Sequence, residues 1–135
     1  MTADGLIACV SKFGPKETMD RLAAAVKSRG ISIMARIDHA AAAAAVGMEL
    51  RPTEVLIFGN PRAGTPLMQA VQTVGIDLPL KALVWQEEGG ATWLAYNNPQ
   101  WLVQRHGADA GLDRTLQAMA DALAAVVSEA ATASA

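Results

Sequence analysis

Two adjacent polar residues, Asp38 and His39, stand where a predicted strand gives way to a predicted helix. Histidine changes its charge near neutral pH and binds metals, and a neighbouring carboxylate can hold its ring in one orientation. The pair is therefore a candidate general base or metal ligand. The alternative interpretation is structural: Asp38 caps the following helix, and His39 packs beside it.

A glycine-containing loop at residues 59–65 is the second candidate, because it joins a predicted strand to a predicted helix start. Such a loop can direct backbone N–H groups at an anion, and Arg62 adds positive charge. The loop lacks the Gly-Lys-Ser/Thr run of nucleotide-hydrolysing proteins. It is expected to bind a small anion or carboxylate. The alternative is a tight turn in which Asn60 binds its own backbone.

We expect polar side chains from separate stretches of the chain to converge in one hollow near the ends of the second and third strands. Asp38 would orient His39, while Asn60, Thr65 and the glycine backbone would fix a polar ligand. The expected ligand-binding residues are Asp38, His39, Arg51, Asn60, Arg62, Gly64, Thr65 and Tyr96. No spacing assigns a catalytic residue.

Two alternative functions stay open. In the first, His39 and His106 serve a redox protein or enzyme that carries a metal or haem. Their partners would be Cys9, Met48 or Glu49, although the chain has no His-x-x-x-His or Cys-x-x-Cys spacing. In the second, the chain is an assembly module without a ligand.

Composition limits the class of protein. The chain has 135 residues, a net charge of -2 and 52% hydrophobic residues, which excludes disorder and argues against a nucleic-acid binder. Its single cysteine excludes an internal disulfide. No apolar run approaches the roughly 20 residues of a membrane helix, and the N-terminus makes a poor secretory signal, so a cytoplasmic location is expected.

Hydrophobic spacing and cap residues predict a single α+β domain over residues 1–135. It is a two-layer sandwich with helices on one face of a five-stranded mixed or antiparallel sheet. A long C-terminal helix carries one apolar stripe that covers either its own domain or a twofold partner, and residues 131–135 are expected to fray. Strands are predicted at 6–11, 31–37, 55–58, 80–87 and 92–96, and helices at 15–29, 40–45, 65–73, 99–106 and 109–130.

Five stretches together form a recognisable pattern: Arg36–Ala40, Gly47–Thr53, Phe58–Met68, Leu78–Ala82 and Tyr96–Pro99. The pattern resembles the bacterial family called domain of unknown function 302 over residues 5–107. The resemblance implies a small α+β fold that pairs into homodimers, and it implies no established activity. The leading expectation is a homodimeric domain that binds or senses a small anionic or polar metabolite, with no nucleic-acid or membrane partner and no assigned cofactor.

Overall fold

A computed structural model of the chain describes residues 3–107 and 110–132. Five strands form one sheet in the order β1-β5-β4-β3-β2, and every neighbouring pair is antiparallel. The strands are β1 (Leu6–Ser11), β2 (Ser32–Asp38), β3 (Thr53–Gly59), β4 (Leu80–Gln86) and β5 (Thr92–Asn97).

Five α-helices and two short 3₁₀ segments accompany the sheet. The segment Gln72–Ile76 follows the third helix, and Ala110–Leu112 precedes the last one. The helices are α1 (Pro15–Ser28), α2 (His39–Ala45), α3 (Pro61–Ala70), α4 (Pro99–Arg105) and α5 (Asp113–Ala131).

Helices α1 and α5 pack on the same face of the sheet and on each other. The apolar stripe of α5 is buried there, with Leu123 and Val126 against Met19 and Leu22 of α1. The stripe therefore covers its own domain rather than a partner. The predicted two-layer α+β fold is confirmed, and its sheet is fully antiparallel.

The opposite face of the sheet, called here the open face, carries the alternate strand residues. Val10 and Ile37 lie on it with exposed fractions of 52% and 40%. Trp85 and Trp93 stand opposite each other, and their rings stack with centroids 6.2 Å apart, as the cross-strand pairing predicted. This face presents apolar surface to its surroundings.

The predicted bounds of α3 and of the frayed tail are wrong. Helix α3 begins at Pro61 with Asn60 as its cap, and not at Thr65-Pro66, so Pro66 lies inside the helix. It ends at Ala70 and not at Thr73, which lies in the following 3₁₀ segment. The 131–135 tail is not frayed at Ala131, which is buried in α5 and accepts a 2.8 Å hydrogen bond from the Lys12 N–H. The predicted fraying at 133–135 lies outside the described residues.

Candidate functional site

A groove of about 890 Å³ runs along the end of the sheet where β3 finishes, between α3 and α5. Its volume lies within the ~300–1,000 Å³ typical of small-molecule sites. The walls come from residues 59–65 and 114–122, with further residues from β2, β4 and the segments leading into them. Four predicted ligand-binding residues line this groove: Asn60, Arg62, Gly64 and Thr65.

Three arginines border the groove, each from the end of a different helix: Arg29 after α1, Arg62 in the first turn of α3 and Arg114 in the first turn of α5. Arg29 pairs with Glu129 at 3.0 Å. Within residues 3–107 and 110–132, no carboxylate lies within 4.0 Å of Arg62 or Arg114, and no acidic residue lines the groove. The groove therefore has positive electrostatic character and suits an anion.

The loop at 59–65 does not offer its amides to a ligand. The Asn60 side chain accepts a 3.0 Å hydrogen bond from the Arg62 N–H, and the Asn60 carbonyl accepts from Ala63 and Gly64. Pro61 has no N–H to give. These contacts match the capped-turn interpretation of the loop, so an anion in this groove would be held by guanidinium groups rather than by the backbone.

The floor of the groove is apolar and flexible. Three methionines, Met34, Met68 and Met119, lie along it, and Met34 is 52% exposed. Leu78 and Leu80 complete the floor. Unbranched thioether side chains adapt to the shape of what they contact, so this surface can accommodate a flexible hydrocarbon group.

Asp38 and His39 lie far from this groove, which corrects the expectation of a single hollow. Asp38 pairs with Glu54 at one end of β3, whereas Ser32 pairs with Gly59 at the other end. Five residue steps at about 3.3 Å each separate the two ends by roughly 17 Å. The Asp38 carboxylate accepts a 2.8 Å hydrogen bond from the Ala41 N–H, so it acts as the cap of α2, and His39 is exposed in that helix.

Arg51 and Tyr96 also lie outside the groove. Arg51 is exposed in the connection between α2 and β3, near the same end of the sheet as Asp38. Tyr96 is only 8% exposed because it points into the core beneath α1 and α5. Burial raises the pKa of its phenol, with a further contribution from Cys9, and burial alone raises the pKa of the Cys9 thiol.

His106 belongs to a separate polar cluster at the end of α4. Its Nε2 lies 2.6 Å from an Asp77 carboxylate oxygen, and its Nδ1 lies 2.8 Å from the Thr73 hydroxyl. Arg105 donates to the same Asp77 carboxylate. The cluster joins α4 to the 3₁₀ segment Gln72–Ile76 at the end of the sheet opposite His39. The two histidines therefore do not share a site, and no group of three or more His, Cys, Asp or Glu side chains with metal-ligand placement occurs in the described residues.

A smaller cleft of about 320 Å³ lies at the Asp38 end of the sheet. Its central side chain, Arg36, donates to Glu54 at 2.9 Å and to Asp20 at 2.9 Å. Hydrogen bonding to Arg36 lowers the pKa of Asp20, and hydrogen bonding to Glu54 raises the pKa of Arg36. Since these charges neutralise each other, the cleft has little charge left for a ligand.

Sequence reasoning missed Arg29, Arg114 and the three floor methionines. Arg62 and Arg114 are 52 positions apart in the chain, and nothing in their local sequence links them. Only the packing of α5 beside α3 brings them to one groove. The sequence feature that could have indicated them is that each arginine lies near the end of a predicted helix, and the fold brings these helix ends together at one end of the sheet.

Comparison with known proteins gives the family. The model of the family described as Domain of unknown function DUF302 matches residues 7–126, which extends the likeness well into α5. The chain belongs to the DUF302 family. The crystal structure of an uncharacterized conserved DUF302 protein from Bacillus stearothermophilus superposes with a TM-score of 0.82 at 24% identity, covering 95% of this chain and 99% of that one. This likeness establishes the fold alone.

Curated relatives of this DUF302 chain carry a functional name. It is 45% identical over 115 residues to fluoride-specific ion channel FluC 1 of Brucella suis biovar 1 (strain 1330), covering 85% of this chain and 45% of the relative. Fluoride-specific ion channel FluC 2 of Brucella melitensis biotype 1 is also 45% identical over 115 residues, and 43% of it is covered. The chain thus spans less than half the length of these relatives.

The relatives' name contradicts the predicted cytoplasmic location, because an ion channel is a membrane protein. The prediction rested on local hydropathy and on the N-terminus, which do not report what a domain is joined to. Within residues 3–107 and 110–132, no helix has the length and apolar character needed to cross a bilayer.

Proposed function

We propose that this chain is a homodimeric domain that binds a small organic anion in the groove between α3 and α5. The observation that supports it most directly is the arrangement of Arg29, Arg62 and Arg114 around an apolar floor. Among the described residues, no acidic side chain lines this groove. Arg62 and Arg114 fix the anionic group, and the floor contacts the rest of the molecule.

The open face of the sheet is the proposed dimer interface. A second copy would cover the partly exposed apolar side chains there, among them Val10 and Ile37. Burying such a face against an identical one is the common closed arrangement of soluble homo-oligomers. The dimer surface lies on the face of the sheet opposite α1 and α5, so it leaves the groove between α3 and α5 accessible.

Fluoride is the second candidate ligand, favoured by the name of the curated relatives. The site chemistry argues for an organic anion over fluoride in this groove. Fluoride is small and strongly hydrated, and the amides that could replace its water at the start of α3 are engaged by Asn60.

The test is calorimetric titration of the protein with sodium hexanoate and, separately, with sodium fluoride. Each charge-assisted hydrogen bond contributes ~1.5–3 kcal/mol, so the double variant Arg62→Gln/Arg114→Gln is expected to bind hexanoate at least tenfold more weakly. Arg51→Gln is the matched control, because Arg51 is exposed outside the groove, and it should bind like the wild type. Equal weakening in both variants, or tight binding of fluoride without hexanoate binding, would contradict the proposal.

A further inference from the structure

The apolar floor of the groove narrows the chemical class of the ligand further than the bordering arginines do. Met34, Met68 and Met119 provide three flexible apolar side chains, and Leu78 and Leu80 lie next to them. Gly75 allows this packing, because a Cβ there would stand 3.3 Å from the Met68 sulfur. Unbranched thioether side chains of this kind adapt their shape to a flexible hydrocarbon chain.

The polar groups of the groove complement this floor. Arg62 and Arg114 lie at its border without a carboxylate partner among the described residues, and a guanidinium binds a carboxylate through two parallel hydrogen bonds. A compact inorganic anion would engage these arginines and leave the methionines uncovered. A neutral lipid would cover the methionines and leave the arginines without a counter-charge.

We propose that the ligand of the groove is a monomeric alkyl carboxylate with a single unbranched chain. Its carboxylate binds at Arg62 and Arg114, and its hydrocarbon chain lies along Met34, Met68 and Met119. This inference rests on the proposed anion-binding function and adds the chemical class of the ligand.

The experiment compares acetate, hexanoate and decanoate, each below the concentration at which it forms micelles, with decanol as the uncharged equivalent. Affinity should rise about threefold to fourfold for each buried methylene. Decanol should bind at least tenfold more weakly than decanoate.

A variant that fills the groove separates chain binding from anion binding. Ala118 lines the groove on the exposed side of α5, so Ala118→Trp should reduce decanoate affinity at least tenfold while acetate binding stays within about twofold. Ala124→Trp is the control, because Ala124 is exposed on the same helix and does not line the groove. Matching urea-unfolding midpoints of the two variants show that both are folded.

The outcomes are distinguishable. If acetate binds as tightly as decanoate, the anion-binding function stands and the alkyl-chain inference fails. If none of the carboxylates binds, the proposed function itself fails. If decanol binds as tightly as decanoate, the groove is a purely apolar site and the inference is overturned. If the protein binds decanoate only when it is incorporated in phosphatidylglycerol vesicles, and the wild type and Ala118→Trp bind those vesicles equally, the contact is with a membrane surface and the inference is also overturned.

Discussion

At the scale of single residues, Asn60 shows how one side chain decides what a loop can do. The same residue was a candidate ligand contact, yet its side chain and carbonyl take up the first amides of α3. An amide that is engaged within the helix start is not available to an anion. The chemistry of the groove therefore depends on long, charged side chains at its border and not on the backbone of the loop.

This assignment predicts unequal effects of two substitutions in the same loop. Asn60→Ala removes the cap of α3 and should lower the free energy of unfolding by about 1 kcal/mol. Thr65→Ala should change it by less than about 0.5 kcal/mol, because Thr65 is exposed inside the helix and makes no side-chain hydrogen bond in the described structure. Urea unfolding measures both. A larger loss from Thr65→Ala would place the start of α3 at Thr65 after all.

At the scale of elements, cap signals predicted most boundaries because local chemistry decides them. Asp38 caps α2 and Asn98 caps α4 as expected. Helix α3 was misplaced because Asn60-Pro61 and Thr65-Pro66 present the same cap-then-proline signal, and the sequence alone does not rank them. The structure uses the first, so the helix begins about one turn earlier than predicted.

The hairpin between β4 and β5 shows the same limit. Gly89-Gly90 indicated a two-residue turn, but the strands are closed by the hydrogen bond from the Glu87 N–H to the Ala91 carbonyl, which leaves three residues in the loop. Gly90 takes a positive φ of 95° there, as three-residue loops require of their last position. The stacked Trp85 and Trp93 were still predicted correctly, because they lie on the same face of the sheet whichever turn is used.

The open face of the sheet leads to a prediction about the homodimer. If a second copy covers the open face, Ile37→Lys places a charge in that interface and should convert the dimer to a monomer. Ile76→Lys is a control of the same residue type, since Ile76 is 74% exposed on the 3₁₀ segment away from the sheet. Size-exclusion chromatography coupled to light scattering measures the molar mass of each variant and so distinguishes dimer from monomer. A dimer that survives Ile37→Lys, or a wild type that is monomeric, contradicts the proposed interface.

At the scale of the whole molecule, the groove exists only because the fold gathers distant segments. Arg29, Arg62 and Arg114 come from the ends of three helices. The end of α1 and the start of α3 lie at the same end of the sheet because Ser32 of β2 pairs with Gly59 of β3, and α5 begins beside them. Sequence reasoning singled out the part of the groove lining that is continuous in the chain, residues 59–65. It placed Asp38, His39 and Arg51 in the same hollow because it could not place them and that loop at opposite ends of β3. It placed Tyr96 there because the sequence alone did not show that this side chain points into the core.

The most direct test of this account is to map the amide chemical-shift changes of the ¹⁵N-labelled protein during titration with sodium hexanoate. We predict that the changes concentrate at residues 59–65 and 114–122, and that Asp38, His39 and Arg51 stay unaffected. Changes centred on Asp38 and His39, or no changes anywhere in the chain, would contradict the assignment of the ligand site to the groove between α3 and α5.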